Sequence, residues 1–246
     1  MTATAPTLEP LLWDSNFLDL PVARLLATGL APHDLAAALA TARQSGVRLL
    51  YLLAAPDDAA AAAVARRAGA WLADRKVTFA MPLAAASGAS APIGVIRPTT
   101  TYTPQLESLA WQSGEYSRFC LDPHLGPAVF QRMYSLWLRN SLAGELARQV
   151  LVWHNAEGQE LGLLTLGEKN GRADIGLLAV DSTTRGQRVG QQLIAAAVAQ
   201  ATAWGYTELQ VVTQRNNELA CSFYQKCGFK PVHEVHIYHL WFDEGK

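Results

Sequence analysis

The sequence predicts an α/β protein in which helices flank a mixed central sheet, with a smaller α/β domain at the N-terminus. Three observations support this fold class. Apolar runs with strand character alternate with helical segments along the chain. Half of the 246 residues are hydrophobic, which is enough for a sizeable core, and only 17% are charged, which argues against disorder. A chain of this length forms one large domain or two small ones.

The N-terminal domain, expected at residues 1–83, is predicted from a strand, a helix and a second strand. The run RLLYLLA at 48–54 is typical of a buried strand, and WLADRKVTFAMPL at 71–83 of the strand that returns. Between them lies PDDAAAAAVARRAGA, which is rich in the best helix former. Pro56 and Asp57 stand where this helix begins, and an aspartate there accepts hydrogen bonds from free N–H groups.

A linker is predicted at residues 84–94, because AAASGASAPIG consists of small residues without apolar periodicity. The second domain is therefore expected at 95–246. Its first helix is predicted from about Pro104 to Gln112. A second helix is predicted at 127–143, where Phe130, Met133, Trp137 and Ser141 follow helical spacing.

Three consecutive strands are predicted in the middle of the second domain. RQVLVWH and ELGLLTLGEK flank the turn residues NAEGQ, which indicates a hairpin, and NGR then leads into ADIGLLAV. The remaining segments alternate in type: a helix at 189–204, a strand at 208–213, a helix at 217–227 and a long final strand at 230–242.

Composition excludes several classes of function. The net charge of −1 provides no basic surface for nucleic acid or an anionic membrane. No apolar run reaches the length of about 18–20 residues that a membrane span needs. The first residues, MTATAPTLEP, lack the basic start and apolar centre of a secretory signal. Three cysteines without a CxxC pair favour a reducing compartment, so we expect a cytoplasmic protein.

Residues 185–190, RGQRVG, lie between a predicted strand and a predicted helix. The N–H groups at a helix start have no partners within the helix and favour an anion, and Gly186 and Gly190 allow close backbone approach. The Gly-Lys-Ser/Thr ending of a P-loop is missing, and so is the third glycine of a dinucleotide-binding fingerprint. Taken alone, the loop is either an anion site or an ordinary helix start.

A second motif occupies residues 216–229, NNELACSFYQKCGF. Asn217 is suited to begin the helix, Ala220 and Tyr224 share one helical face, and Gly228 ends the helix before Phe229. Taken on its own, this stretch is better explained as an ordinary capped helix with a half-buried tyrosine.

In this order the two motifs resemble the GNAT superfamily of N-acetyltransferases, and the resemblance covers about residues 95–246. It implies the GNAT fold and acetyl-CoA as cofactor. The family loop Q/R-x-x-G-x-G/A, which binds the cofactor's pyrophosphate, corresponds to Arg185, Gly186, Gln187, Arg188, Val189 and Gly190. Arg188 replaces the first glycine. We expect its N–H to serve equally if its backbone stays helical, and its guanidinium to add a charged contact to phosphate.

The resemblance also implies a mechanism in which a neutral amine attacks the thioester. Backbone groups of Leu178, Ala179 and Val180 would bind the cofactor, with the N–H of Leu178 on the oxyanion, in a strand that is bulged in the family. Tyr224 would protonate the departing thiolate as general acid, and Asn217 would contact the pantetheine arm. Asp174 and Glu115 are candidate bases, and each is equally explained as a surface charge.

A narrower resemblance extends over nearly the whole chain, to bacterial GNAT enzymes that acetylate the 4-amino group of a dTDP-linked amino-dideoxy sugar for surface polysaccharide. It rests on residues 8–25 and on GEYSRFCLDPHL at 114–125. Tyr116 and Arg118 in this segment would contact the nucleotide sugar, although a structural ion pair between Arg118 and Asp122 explains the charges at least as well. Two departures are Leu18-Asp19 in place of Phe-Gly, and Phe223 in place of a cofactor-binding arginine.

Several alternatives stay open from the sequence alone. The acceptor could instead be a protein amine or another small amine, and the donor another acyl-CoA; a non-catalytic acyl-CoA-binding module is the alternative outside the enzymes. No metal site is expected, because His233 and His239 alternate with His236 between the two faces of a strand. A homodimer is one alternative for the oligomeric state, which the sequence does not decide.

Overall fold

The computed structural model describes residues 7–83 and 94–242. The strands within them are β1 Leu8–Pro10, β2 Val22–Leu26, β3 Leu49–Ala54, β4 Trp71–Pro82, β5 Val95–Thr99, β6 Gln149–His154, β7 Glu160–Lys169, β8 Arg172–Val180, β9 Glu208–Gln214 and β10 Lys230–Trp241. The helices are α1 Leu12–Leu18, α2 Pro32–Gln44, α3 Ala59–Arg67, α4 Pro104–Ser113, α5 Arg118–Leu121, α6 Gly126–Leu142, α7 Val189–Ala203 and α8 Glu218–Lys226. A short 3₁₀-helix, Ser182–Thr184, precedes α7.

The described residues form two compact units. One comprises residues 7–77 and 233–242, and the other comprises residues 78–83 and 94–232. Strands β4 and β10 have residues in both units. The predicted linker at 84–94 lies outside the described residues except for Gly94.

The first unit is built on a parallel pair, β2 and β3, with β1 and β10 antiparallel at its two sides. Helices α2 and α3 bury their apolar residues with this sheet in one core. Leu35, Leu39 and Val64 of the helices belong to that core together with Leu50 and Leu52 of β3. Burial of such side chains is the main favourable contribution to the stability of the unit.

Helix α3 begins one residue later than the sequence predicts. Asp58, not Asp57, is its N-cap, and the Asp58 carboxylate accepts a hydrogen bond from the N–H of Ala61 at 2.8 Å. Asp57 lies one residue earlier and is exposed. The prediction that an aspartate caps this helix is confirmed, but its assignment to Asp57 is wrong.

The second unit contains the predicted run of three strands. Strands β5, β6, β7 and β8 pair antiparallel in order, and β9 then pairs parallel with β8. Helices α4 and α6 pack on each other, and α7 packs on β6, β7 and β8. The mixed α/β fold is therefore confirmed, as are the helices and strands predicted between Pro104 and the end of β10, to within a few residues.

Helix α7 lies close to the sheet because β7 has a glycine beneath it. A Cβ on Gly162 would lie 3.0 Å from side-chain atoms of both Val189 and Leu193. At the same helix, the indole N–H of Trp153 on β6 donates to the side-chain oxygen of Gln192 at 2.9 Å. These contacts fix the first two turns of α7 against the strands that precede it.

The sequence analysis assigns no element to the stretch that forms β1, α1, β2 and α2, and it also misses β5 and the short helix α5. Helix α1 has no buried residue, so apolar periodicity could not identify it. Within the described ranges 7–83 and 94–242, no helix combines the length and the apolar character that crossing a membrane requires.

Replacing Asp58 by Ala tests the observed cap of α3. Loss of the hydrogen bond to the N–H of Ala61 should lower the free energy of unfolding by about 0.5–2 kcal/mol. The matched control Asp57→Ala removes the same charge one residue earlier and should change it by a few tenths at most. Urea denaturation of both variants measures the difference, and equal effects would contradict the assignment of the cap to Asp58.

Candidate active site

The parallel ladder between β8 and β9 ends before the strands do. The two strands pair only from Ala173 opposite Leu209 to Ile175 opposite Val211. Both strands then continue, β8 to Val180 and β9 to Gln214. Residues 176–180 of β8 therefore have no ladder partner in β9.

The backbone groups of Leu178 and Val180 face this open edge. Asp181 N–H donates to the carbonyl of Leu161 at 2.9 Å, which marks a hydrogen-bonded position between β8 and β7. Because hydrogen-bonded and non-bonded positions alternate in an antiparallel ladder, Ala179 also bonds to β7, whereas Leu178 and Val180 point the other way. Of the three predicted strand residues, Leu178 and Val180 thus present N–H and C=O groups towards β9, and Ala179 does not.

Strand β8 carries a bulge beside Leu178. Leu178 lies opposite Leu164 of β7 and Ile175 lies opposite Leu166, so Gly176 and Leu177 together oppose Thr165. The buried hydroxyl of Thr165 accepts a hydrogen bond from the N–H of Leu177 at 2.8 Å. Sequence reasoning did not identify Thr165, although a threonine inside the apolar run ELGLLTLGEK is a usable signal.

The loop that follows β8 is ordered by its own side chains. The Asp181 carboxylate accepts from the N–H and the hydroxyl of Thr183 at 3.0 and 2.6 Å, which lowers the pKa of Asp181. Arg185 donates through Nε to the carbonyl of Val180 at 3.2 Å and through Nη2 to Gln112 of α4 at 3.3 Å. Gly186 has a positive φ of 81°, and no neighbouring atom lies within 4 Å of the position that a Cβ would take there.

The N-terminus of α7 lies at the same edge. No side chain in the described part of the chain caps this helix, and its N-terminal N–H groups lack intrahelical partners. A Cβ on Gly190 would lie 3.0 Å from Cζ of Phe223 and 3.6 Å from Cγ2 of Val180. The end of β8, the first turn of α7 and one side of α8 therefore meet at Gly190.

Arg188 adopts a conformation that the sequence analysis did not expect. It is the N-cap residue of α7 with φ 64° and ψ 9°, in the left-handed region. The condition on which its N–H was expected to replace that of a glycine, a helical backbone, is therefore not met. The left-handed region favours glycine, which explains why the family motif has glycine at this position. The arginine and Gln187 remain exposed, and Val189 is buried.

Tyr224 is buried on α8 among aromatic rings. Its ring centroid lies 5.3 Å from Phe223, 5.7 Å from Phe229 and 6.0 Å from Phe79. Burial strongly raises the pKa of the Tyr224 phenol, so the hydroxyl keeps its proton at neutral pH. Asn217 is the N-cap of the same helix, as predicted, and its side-chain oxygen accepts from the N–H of Ala220 at 3.1 Å.

The residues predicted to bind the acetyl acceptor are distant in sequence from Leu178 and Tyr224. Tyr116 is 40% exposed, just before α5, and the Arg118 guanidinium lies over the ring of Phe119 at 4.6 Å. The candidate base Asp174 accepts from Gln210 Nε2 at 2.9 Å, and the other candidate, Glu115, is exposed.

A polar cluster between α4 and α6 also went unnoticed in the sequence. The Ser135 hydroxyl donates to the Glu107 carboxylate at 2.6 Å and accepts from the indole N–H of Trp111 at 3.0 Å. The bond from Ser135 lowers the pKa of Glu107, so this carboxylate is poorly suited to act as a base near neutral pH. Its contacts join the two helices that pack on each other.

Comparison with known proteins identifies the family. The profile of the Acetyltransferase (GNAT) family matches residues 106–229, about half of the chain, and this range includes β8, α7 and α8. The chain belongs to this family. As a member of this family it is an acetyltransferase.

Two characterised relatives carry sugar-related names. The chain is 29% identical over 223 residues to dTDP-fucosamine acetyltransferase of Escherichia coli O6:H1, which covers 90% of this chain and 92% of the relative. It is 28% identical over 139 residues to the spore coat polysaccharide biosynthesis protein SpsD of Bacillus subtilis. That match covers 56% of this chain and 47% of the Bacillus protein, so this chain spans about half the length of that relative.

Solved structures agree on the fold. A conserved protein of unknown function from Staphylococcus epidermidis matches with a TM-score of 0.72 at 10% identity, over 99% of this chain and 94% of that one. A GNAT protein from Kribbella flavida matches with a TM-score of 0.61 at 15% identity, over 98% and 89% of the two chains. At these identities the likeness concerns the GNAT fold alone.

Replacing Arg188 by Gly tests the strain at the start of α7. A left-handed non-glycine residue costs about 1–2 kcal/mol, and the extra freedom of an unfolded glycine offsets about 0.5–1 kcal/mol of that cost. Arg188→Gly should therefore raise the free energy of unfolding by up to about 1 kcal/mol. Arg188→Ala keeps the Cβ and should give no such gain, so equal stabilities of the two variants in urea would refute the strain.

Proposed function

We propose that this GNAT enzyme transfers the acetyl group of acetyl-CoA to the 4-amino group of a dTDP-linked amino-dideoxy sugar. The observation that carries the proposal is the similarity to dTDP-fucosamine acetyltransferase over nearly the full length of both chains. The second relative, named for spore coat polysaccharide biosynthesis, supports the same substrate class. Three free cysteines fit a reducing compartment, and we place the reaction in the cytoplasm.

The loop 185–190 and the first turn of α7 suit the pyrophosphate of acetyl-CoA. An anion there would accept from N–H groups that no side chain caps and would lie at the positive end of the helix dipole. Gly186 leaves open space at its Cβ position, so the backbone is accessible to a ligand. Arg185 and Arg188 are exposed beside these groups and would add charge-assisted contacts.

The open edge of β8 suits the pantetheine arm and the thioester. Leu178 presents its backbone N–H and C=O where β9 has separated, so a ligand with amide groups would take the place of the missing strand. The N–H of Val180 faces the same edge, while its carbonyl accepts from Arg185. The N–H of Leu178 would donate to the thioester oxygen as negative charge develops on it. A fixed backbone donor of this kind is typical of acyl-transfer sites.

Tyr224 would supply a proton to the departing thiolate. Its burial holds the phenol in the protonated form, and Phe223, its neighbour in α8, packs against Gly190 at the start of α7. Asn217 begins the same helix and would contact the pantetheine arm with the part of its amide that does not cap α8. Tyr116 and Arg118 would contact the sugar nucleotide.

The substrate proposal is tested by incubating the protein with acetyl-CoA and single acceptors while thiol release is followed. We expect turnover with dTDP-4-amino-4,6-dideoxygalactose, and none with the matched dTDP sugar that carries a 4-hydroxyl. A lysine peptide and a polyamine serve as further acceptors. Faster turnover with the peptide or the polyamine than with the amino sugar would overturn the substrate class.

Replacing Gly186 by Val tests the pyrophosphate site. The side chain would shield the loop N–H groups, and the Kd for acetyl-CoA should rise at least about tenfold, or about 1.4 kcal/mol. Gly171, in the turn between β7 and β8, is a matched control, since its φ of 77° and open Cβ position resemble those of Gly186. Calorimetry on both folded variants decides the placement, and an equal Kd in the two would contradict it.

Replacing Tyr224 by Phe tests the general acid. The ring and its packing are kept while the proton is removed, so kcat should fall about 10²–10⁴-fold with little change in Kd for acetyl-CoA. Tyr206→Phe is the control, because the Tyr206 hydroxyl donates to Glu168 at an exposed site. If Tyr224→Phe keeps more than about half of kcat while chemistry limits the rate, Tyr224 has no part in proton transfer.

A further inference from the structure

A single hydroxyl is buried beneath the bulge of β8. Thr165 is 1% exposed and lies in β7 between Leu164 and Leu166, which are both fully buried. A polar atom in such an apolar strand is costly unless it is hydrogen-bonded. The Thr165 hydroxyl meets this condition by accepting from Leu177 N–H at 2.8 Å.

This hydrogen bond forms at the bulge, where the register between β7 and β8 shifts. Gly176 and Leu177 together oppose one residue of β7, Thr165, and the N–H of Leu177 donates to the side chain of that residue. Leu177 is 3% exposed, so solvent could not replace a lost partner. The Thr165 side chain therefore ties the bulged residue Leu177 to β7 by a buried hydrogen bond.

The same hydrogen bond also influences the direction in which the N–H of Leu178 points. The peptide that carries the N–H of Leu177 is fixed by Thr165, and the ladder to β7 fixes the strand again at Ala179. Between these two fixed points lies the peptide that carries the N–H of Leu178. With both sides fixed, that N–H is held towards the open edge of β8.

Gly176 shows that the space around this hydroxyl is closely filled. A Cβ at Gly176 would lie 2.9 Å from Thr165 Oγ1 and 3.5 Å from the indole nitrogen of Trp137 on α6. Gly176 does not have a positive φ, so what opposes an alanine here is the limited space and not the backbone conformation. Any side chain here would press on the hydroxyl that holds the bulge.

We infer that Thr165 is a positioning residue for acetyl transfer: its hydroxyl fixes the bulge at Gly176–Leu177 and thereby aims the N–H of Leu178 at the reacting carbonyl. The inference rests on the proposed function, in which Leu178 stabilises the oxyanion. Thr165 is buried and would act through the backbone of β8.

The test uses Thr165→Val, which keeps the shape and removes the acceptor, and Thr165→Ser, which keeps the hydroxyl. In Thr165→Val the Leu177 amide should exchange hydrogen at least about tenfold faster than in the wild type, as a broken local hydrogen bond requires. With acetyl-CoA and dTDP-4-amino-4,6-dideoxygalactose, kcat should fall at least about tenfold, a part of the 10²–10³-fold that loss of an oxyanion donor costs. The KM for acetyl-CoA should stay within about twofold.

The Thr165→Ser variant should restore both the exchange rate and kcat to within about threefold of the wild type, because the hydroxyl is what matters. Gly176→Ala, which presses on that hydroxyl from β8, should reproduce the loss of kcat. Thr202→Val is the control for removal of a hydroxyl, since Thr202 bonds to the carbonyl of Val198 near the other end of α7, and it should leave kcat unchanged.

The outcomes separate this inference from the proposed function. An unchanged exchange rate at Leu177 in Thr165→Val overturns the inference, as does a folded variant with lower thermal stability and wild-type kcat. If the wild type acetylates none of the acceptors, the proposed function fails, and the exchange rate of Leu177 alone then decides whether Thr165 holds the bulge.

Discussion

The end of the parallel ladder at Ile175 and Val211 is the constraint on which the rest of the site depends. Peptide groups in a folded protein need partners, and beyond this point β9 no longer provides them to β8. The chain satisfies one of them internally, because Arg185 donates to the carbonyl of Val180. The groups of Leu178 are left facing the edge, where a ligand that carries amide and carbonyl groups can pair with them.

The proposed anion site at α7 depends on the same arrangement. Gly162 allows α7 to lie close on β7, and Gly190 allows Phe223 to pack against the first turn. The uncapped N–H groups of α7 and the unpaired edge of β8 consequently lie together around Val180. In the proposed function the first of these would bind negative charge and the second amide groups, which are the two chemical features that acetyl-CoA combines in its pyrophosphate and its pantetheine arm.

Local patterns predicted much of the second unit. The turn residues NAEGQ and NGR define the hairpins of β6, β7 and β8, and Asn217 is the cap that its position suggested.

Features that depend on contacts between distant parts of the chain could not be predicted from the sequence. The left-handed conformation of Arg188 follows from how the loop enters α7, and the bond from Leu177 to Thr165 depends on a register shift between two strands. Neither is encoded in the identity of one residue and its neighbours. The assignments of Leu178, Tyr224 and Asn217 to catalytic and binding roles remain predictions.

A crystal structure of the protein with bound acetyl-CoA tests the central claim most directly, because that claim places a ligand where β8 and β9 separate. The account predicts that the Leu178 N–H lies within about 3.2 Å of the thioester carbonyl oxygen and that the pyrophosphate contacts the first N–H groups of α7. β8 should keep its bulge at Gly176–Leu177. A thioester bound away from the edge of β8, or strands that close the gap beyond Ile175 and Val211, would contradict the account.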